Sequence, residues 1–152
     1  SPNRNITRAE FLYFLVRALG LGARFDDNFD DIDTNAYYYK EIGVAKKLGI
    51  TQGAGGNKFN PDQHITRQDM MVLTARALNI IGRLEKTGTA SEPDMFADKS
   101  LVASYALDSV AMIIKEGLIK IYVERIYPLR NVTRADAAVF LYKIYNNYTG
   151  GK

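Results

Sequence analysis

Three arginines share one local setting: Ile6-Thr7-Arg8-Ala9-Glu10, Ile65-Thr66-Arg67-Gln68-Asp69 and Val132-Thr133-Arg134-Ala135-Asp136. In each, a Thr stands three residues ahead of an acid, the spacing of a capping box. The hydroxyl accepts from a backbone N–H one turn into a helix, and the acid reaches back. An Arg directly after the capping residue opposes the helix dipole at a cost of a few tenths to about 1 kcal/mol, so helix propensity does not select it. Two chemistries account for it. Unpaired N–H groups at a helix start, joined by a planar guanidinium, form a site for a carboxylate. Alternatively, each Arg pairs with an Asp or Glu of a neighbouring segment and locks the fold. The two roles are compatible, and the sequence leaves both open.

Other side chains with chemical potential recur with these arginines. Asp31 and Asp98 follow Phe29-Asp30 and Phe96-Ala97; such an acid either meets a ligand or holds a turn through its own backbone contacts. Tyr37, in the run Tyr37-Tyr38-Tyr39, and Tyr105 offer flat faces for stacking and hydroxyls for hydrogen bonds, or pack structurally. Gly53-Ala54-Gly55-Gly56 lacks the Lys-Ser/Thr of a phosphate-binding loop. Gly53 and Gly55 are read as parts of a tight turn. The acidic run Asp26–Asp33 lacks the central Gly and terminal Glu of a calcium loop and reads as a solvated turn. His64 is the only His and there is no Cys, so neither a zinc site nor a Ser-His triad has its parts. His64 is assigned a surface or capping role. No metal and no cofactor is expected. A glycosidase would need two carboxylates converging about 5–10 Å apart. Here the acids recur once per repeat at capping positions, and no enzyme is expected.

The elements that position these residues form a repeat. The unit reads Phe-x-Asp, a helix, a Gly turn (Gly49-Ile50, Gly117-Leu118), and a short extended piece. Phe59-Asn60-Pro61 or Ile126-Tyr127-Pro128 follows, then Thr-Arg and a second helix. Residues 29–80 and 96–146 are complete units, residues 1–22 are the tail half of another, and 82–95 is a polar linker. The second helices (Phe11, Leu12, Phe14, Leu15, Val16, Ala18 and Leu19 in the first) are apolar around most of their circumference and should lie centrally as a three-helix bundle. The first helices, such as 36–48, set Ala36, Ile42, Val44, Ala45 and Leu48 against Lys40, Glu41, Lys46 and Lys47 and should lie outside. The expected class is all-α.

These motifs together resemble the S-layer homology family: Phe-x-Asp, an aromatic pair, a Gly-Ile turn, a Gly-rich loop with Phe-x-Pro, then Ile-Thr-Arg-Ala-Glu. The resemblance implies a pseudo-threefold domain with a central three-helix bundle and outer short helices. In that family, grooves between the lobes bind pyruvylated secondary cell-wall polysaccharide and so anchor an exported protein at the bacterial cell wall or S-layer. It further implies ligand roles for Arg8, Arg67 and Arg134, for Asp31 and Asp98, for Tyr37 and Tyr105 where the family has Trp, and for Gly53 and Gly55. The third unit departs from the pattern, carrying Ile119-Lys120-Ile121-Tyr122-Val123-Glu124 where the Gly-rich loop belongs. The rival reading is a helical repeat that binds another protein, including other parts of the same surface protein, with the arginines as locks.

Composition narrows the partners. The chain has 152 residues with net charge +3, and 24% of them are charged. Acids and bases are interspersed, whereas a nucleic-acid binder shows a concentrated basic stripe, so no nucleic-acid partner is expected. No apolar run approaches the ~18 residues of a membrane span, and no membrane insertion is expected.

Overall fold

The structure, a computed structural model, describes residues 1–83, 96–119 and 125–149. Most of the expected linker 82–95 and all but the first residue of the divergent 119–124 stretch lie outside the described residues. Among the described residues five α-helices appear in order: α1 (Arg8–Ala18), α2 (Tyr39–Leu48), α3 (Arg67–Ile80), α4 (Leu107–Lys115) and α5 (Arg134–Thr149). Single turns of 3-10 helix at Lys99–Leu101 and Ser104–Ala106 precede α4. Among the described residues, extended pieces meet through isolated bridges, such as Thr7 with His64 and Thr66 with Asn131. The class is all-α, as the periodicity predicts.

The chain divides into two compact units, Ser1–Ile65 with Thr133–Lys152, and Thr66–Val132. In the first, α1 packs on both α2 and α5. Phe11, Leu12 and Leu15 of α1, Ile42 of α2 and Ile144 of α5 are fully buried, each such side chain contributing about 1.5–3 kcal/mol. The Phe11 and Phe140 rings lie 6.3 Å apart, and Phe29 stacks on Phe59 at 5.5 Å. In the second unit α3 packs on α4, with Met71, Leu78, Val110, Ile113, Leu118 and Ile126 buried.

Local chemistry sets the boundaries. α2 begins at Tyr39 rather than 36, because the Ala36 N–H is used by Asp33 O and the Tyr39 N–H by Ala36 O, which makes a turn first. It stops at Gly49, whose φ of 82° supplies the left-handed cap. Gly43 lets the helix lie against Phe25: an added Cβ would fall 2.2 Å from that ring.

Candidate functional site

The start of α1 gathers the chemistry of the first unit. Thr7 Oγ1 accepts from the Glu10 N–H (3.1 Å) while Glu10 Oε1 accepts from the Thr7 N–H (2.9 Å), a closed capping box. The other carboxylate oxygen, Oε2, accepts from Arg134 (2.7 Å) and from Arg4 (3.2 Å). Burial alone would raise the Glu10 pKa, but the Thr7 N–H and hydroxyl with Arg134 and Arg4 outweigh it and hold the carboxyl below its usual range. Arg134 is partly exposed and lines an apolar groove of about 430 Å³ with Pro2, Ile6, Phe14, Ala138 and Leu141.

Tyrosine faces border the same corner. Tyr13 of α1 meets Phe14 edge-on at 5.3 Å and Tyr37 at 4.9 Å, and Tyr37 meets Tyr38 at 5.0 Å. Tyr37 is 60% exposed. Its hydroxyl pKa is pushed up by partial burial first and then by the Glu10 charge, with Arg134 opposing. Arg134, Glu10 and Tyr37 therefore share one electrostatic neighbourhood, open on one side to an apolar hollow.

Arg8 takes a different path. Its Nε donates to Phe59 O at 2.9 Å, and its guanidinium lies 4.7 Å from the Phe59 ring centre. In the second unit Arg67 Nε donates to Ile126 O at 2.8 Å, at the matching position two residues ahead of a Pro. Both arginines hold the loop that in turn caps their helix: the Arg8 and Ala9 N–H groups donate to Gln63 O and Pro61 O, and those of Arg67 and Gln68 to Arg130 O and Pro128 O. The same geometry recurs at α5, where the Arg134 and Ala135 N–H groups donate to Arg4 O and Pro2 O. The N–H groups at each helix start are thus spent on backbone carbonyls, and the guanidiniums carry whatever anion affinity the site has.

Asp31 and Asp98 form one structural device in two copies. Asp31 accepts from the Phe59 and Asn60 N–H groups at 2.9 and 2.8 Å, and Asp98 from those of Ile126 and Tyr127 at 3.0 and 2.8 Å. Burial raises the Asp31 pKa, but the two N–H donors lower it further, for a net depression. Tyr105, 58% exposed, donates its hydroxyl to Asp69 at 2.5 Å. Gly53 (φ 82°) sits where a Cβ would be 2.4 Å from Lys58 O; Gly55 (φ 103°) faces open space.

The acids of the 26–33 run serve separate turns and pairs: Asp27 with Lys46, Asp30 with Asn57, Asp33 with the Asn35 N–H. Among the described residues no group of three potential ligands gathers for a metal. No described helix is long and apolar enough to cross a membrane. His64 is exposed. Glu10 is the residue the sequence showed only as a capping acid. Its reach to Arg134 joins residues far apart in the chain, and no local pattern announces it.

Fold and sequence define a helical repeat module, and the chain belongs to the S-layer homology domain family, whose model matches residues 28–71 and 96–138. The chain is 30% identical over 97% of its length to the surface-layer 125 kDa protein of Lysinibacillus sphaericus, covering 12% of that protein. It is 29% identical over 93% of its length to an amylopullulanase of Thermoanaerobacterium thermosulfurigenes, covering 8% of it. With the cellulosome-anchoring protein of Acetivibrio thermocellus the identity is 24% over 92% of the chain and 32% of that protein. The chain thus spans a small part of these relatives. The family is one of anchoring modules and not of catalytic domains, and its place is outside the cell, at the bacterial surface and cell wall.

Proposed function

We propose that this module holds an exported protein non-covalently on the cell wall by binding an anionic, pyruvylated secondary wall polysaccharide at the Arg134–Tyr37 corner. The observation that carries the reading is the meeting of a guanidinium, an exposed tyrosine face and an apolar hollow at one helix start. Arg134 gives the ligand carboxylate a planar partner, Tyr37 stacks on the sugar ring, and the Phe14–Leu141 hollow takes the ketal methyl. Glu10 holds Arg134 in place from the protein side and leaves the rest of the fork to the ligand. At the second unit Tyr105, fixed by Asp69, presents a second sugar-stacking face. Arg8, Arg67, Asp31, Asp98, Gly53 and Gly55 act on the ligand through the loops they shape.

Cosedimentation with purified wall sacculi tests this. The chain should pellet with native walls and stay in solution with walls stripped of pyruvyl groups. Equal pelleting with both would overturn the polysaccharide reading.

A further inference from the structure

A line of side chains on α1 leads away from the Arg134 corner. Glu10, Tyr13 and Arg17 fall at i, i+3 and i+7 and share one helix face, a run of about 10 Å along the axis. Ring contacts follow the same line. Phe14, which lines the groove beside Arg134, meets Tyr13; Tyr13 meets Tyr37; and the Arg17 guanidinium lies 5.3 Å from the Tyr13 ring centre. Arg17 also reaches Glu41 of α2 at 3.5 Å.

The line ends at a second hollow, of about 330 Å³, where Arg17, Lys40 and Glu41 stand around Leu21 and Val44. Glu41 is buried, whereas Arg17 and Lys40 are exposed. The carbonyls of the last turn of α1 are already engaged: Leu15 O, Val16 O and Arg17 O accept from the Leu19, Leu21 and Gly20 N–H groups. Side chains therefore set the charge of the hollow. Two cations face one carboxylate, and the surplus matches a single negative charge on a ligand. The repeat itself does not require this set. Counted from the capping threonines and from Tyr37 and Tyr105, the second unit has Val72, Arg76, Asp108 and Ser109 at the positions of Tyr13, Arg17, Lys40 and Glu41. There an acid replaces a cation and the ring is gone, yet α3 and α4 still pack together.

We propose that the Arg17–Lys40 hollow is a second subsite, taking a further carboxylate-bearing sugar of the polymer whose first acidic residue meets Arg134. The inference rests on the reading of the Arg134 corner given above and extends it along α1. Arg17 offers its planar fork to the carboxylate and Lys40 adds a point charge. Glu41 accepts from a sugar hydroxyl, and the Tyr13 and Tyr37 rings bear on the sugars between the two ends. The distance along α1 exceeds one sugar ring, so a single short fragment fills one end and a longer one fills both.

Wall polysaccharide released from sacculi and fractionated by chain length probes both ends, with affinities read by calorimetry. For the unaltered chain, affinity should rise at least about tenfold from the shortest binding fragments to the longer ones, because a second contact on one polymer adds to the first. Lys40→Gln, at an exposed position, should remove that rise and leave short-fragment affinity as it was. Lys40→Asp, which installs the second unit's residue, should do the same, and so should Arg17→Gln. Lys47→Gln changes the net charge equally from another exposed position on α2 and should keep the rise. A rise that survives Lys40→Gln would overturn the subsite. So would its equal loss in Lys47→Gln, which would reduce the effect to net charge. Short fragments that bind Arg134→Ala as tightly as the unaltered chain would instead remove the corner, and the subsite with it.

Discussion

The capping acids at the starts of α1 and α3 differ by one methylene, and the difference redirects a carboxylate. Glu10 is long enough to reach back to the Thr7 N–H and forward to Arg134 and Arg4. Asp69 at the same position receives its own N–H cap from Thr66 at 3.3 Å and gives its carboxylate to the Tyr105 hydroxyl. One corner thus fixes an arginine and leaves its tyrosine open, while the other fixes the tyrosine. A repeat that reads alike in sequence supplies two chemically distinct corners.

The loop clamps should show the largest contrast between the units. Asp98 is only 4% exposed, and Asp98→Ala leaves two N–H donors without their acceptor, for a loss of about 3 kcal/mol, whereas the more exposed Asp31→Ala should lose about 1–2 kcal/mol because water replaces part of the contact. Urea unfolding measures both, and equal losses would break the distinction. Within the 53–58 loop, Gly53→Ala should cost about 2–3 kcal/mol through its clash and positive φ, and Gly55→Ala only about 1 kcal/mol through φ alone.

Acid sharpens the comparison further. The Glu10 pKa is depressed in the folded state from the ordinary value of 4.5, so its contribution is present above that unfolded value and lost as pH falls through the folded value. Glu10→Gln should flatten that part of the stability-versus-pH curve. A curve of unchanged slope would show that Arg134 and Arg4 do not act through Glu10. The smallest effect is expected from Asp69→Glu, which lets α3 close its capping box for a gain of about 0.5 kcal/mol while loosening the Tyr105 ring. Thermal melts would register the first, and the Tyr105 ring resonances the second.

Much of the fold was legible in the sequence because it rests on local signals. The Thr-x-x-acid caps mark α1, α3 and α5, and Gly49 marks the end of α2. The site was legible in its parts only. Arg8, Arg67 and Arg134 look equivalent, yet two bond loop carbonyls and one bonds Glu10. That choice depends on which carbonyl or carboxylate the tertiary fold brings near, and sequence spacing does not encode it. Asp31 and Asp98 were open between ligand and loop, and their paired N–H contacts identify a loop-holding role that each copy shares.

The account turns on Arg134 meeting the acidic group of the wall polymer. Binding of Arg134→Ala and of the unaltered chain to native and to pyruvyl-stripped sacculi forms a two-by-two comparison. The predicted result is that substitution and stripping each reduce affinity at least about tenfold, as expected for removing one partner of a charge-assisted pair, and that the two together reduce it no further. Full affinity of Arg134→Ala for native walls, or strictly additive losses, would contradict it.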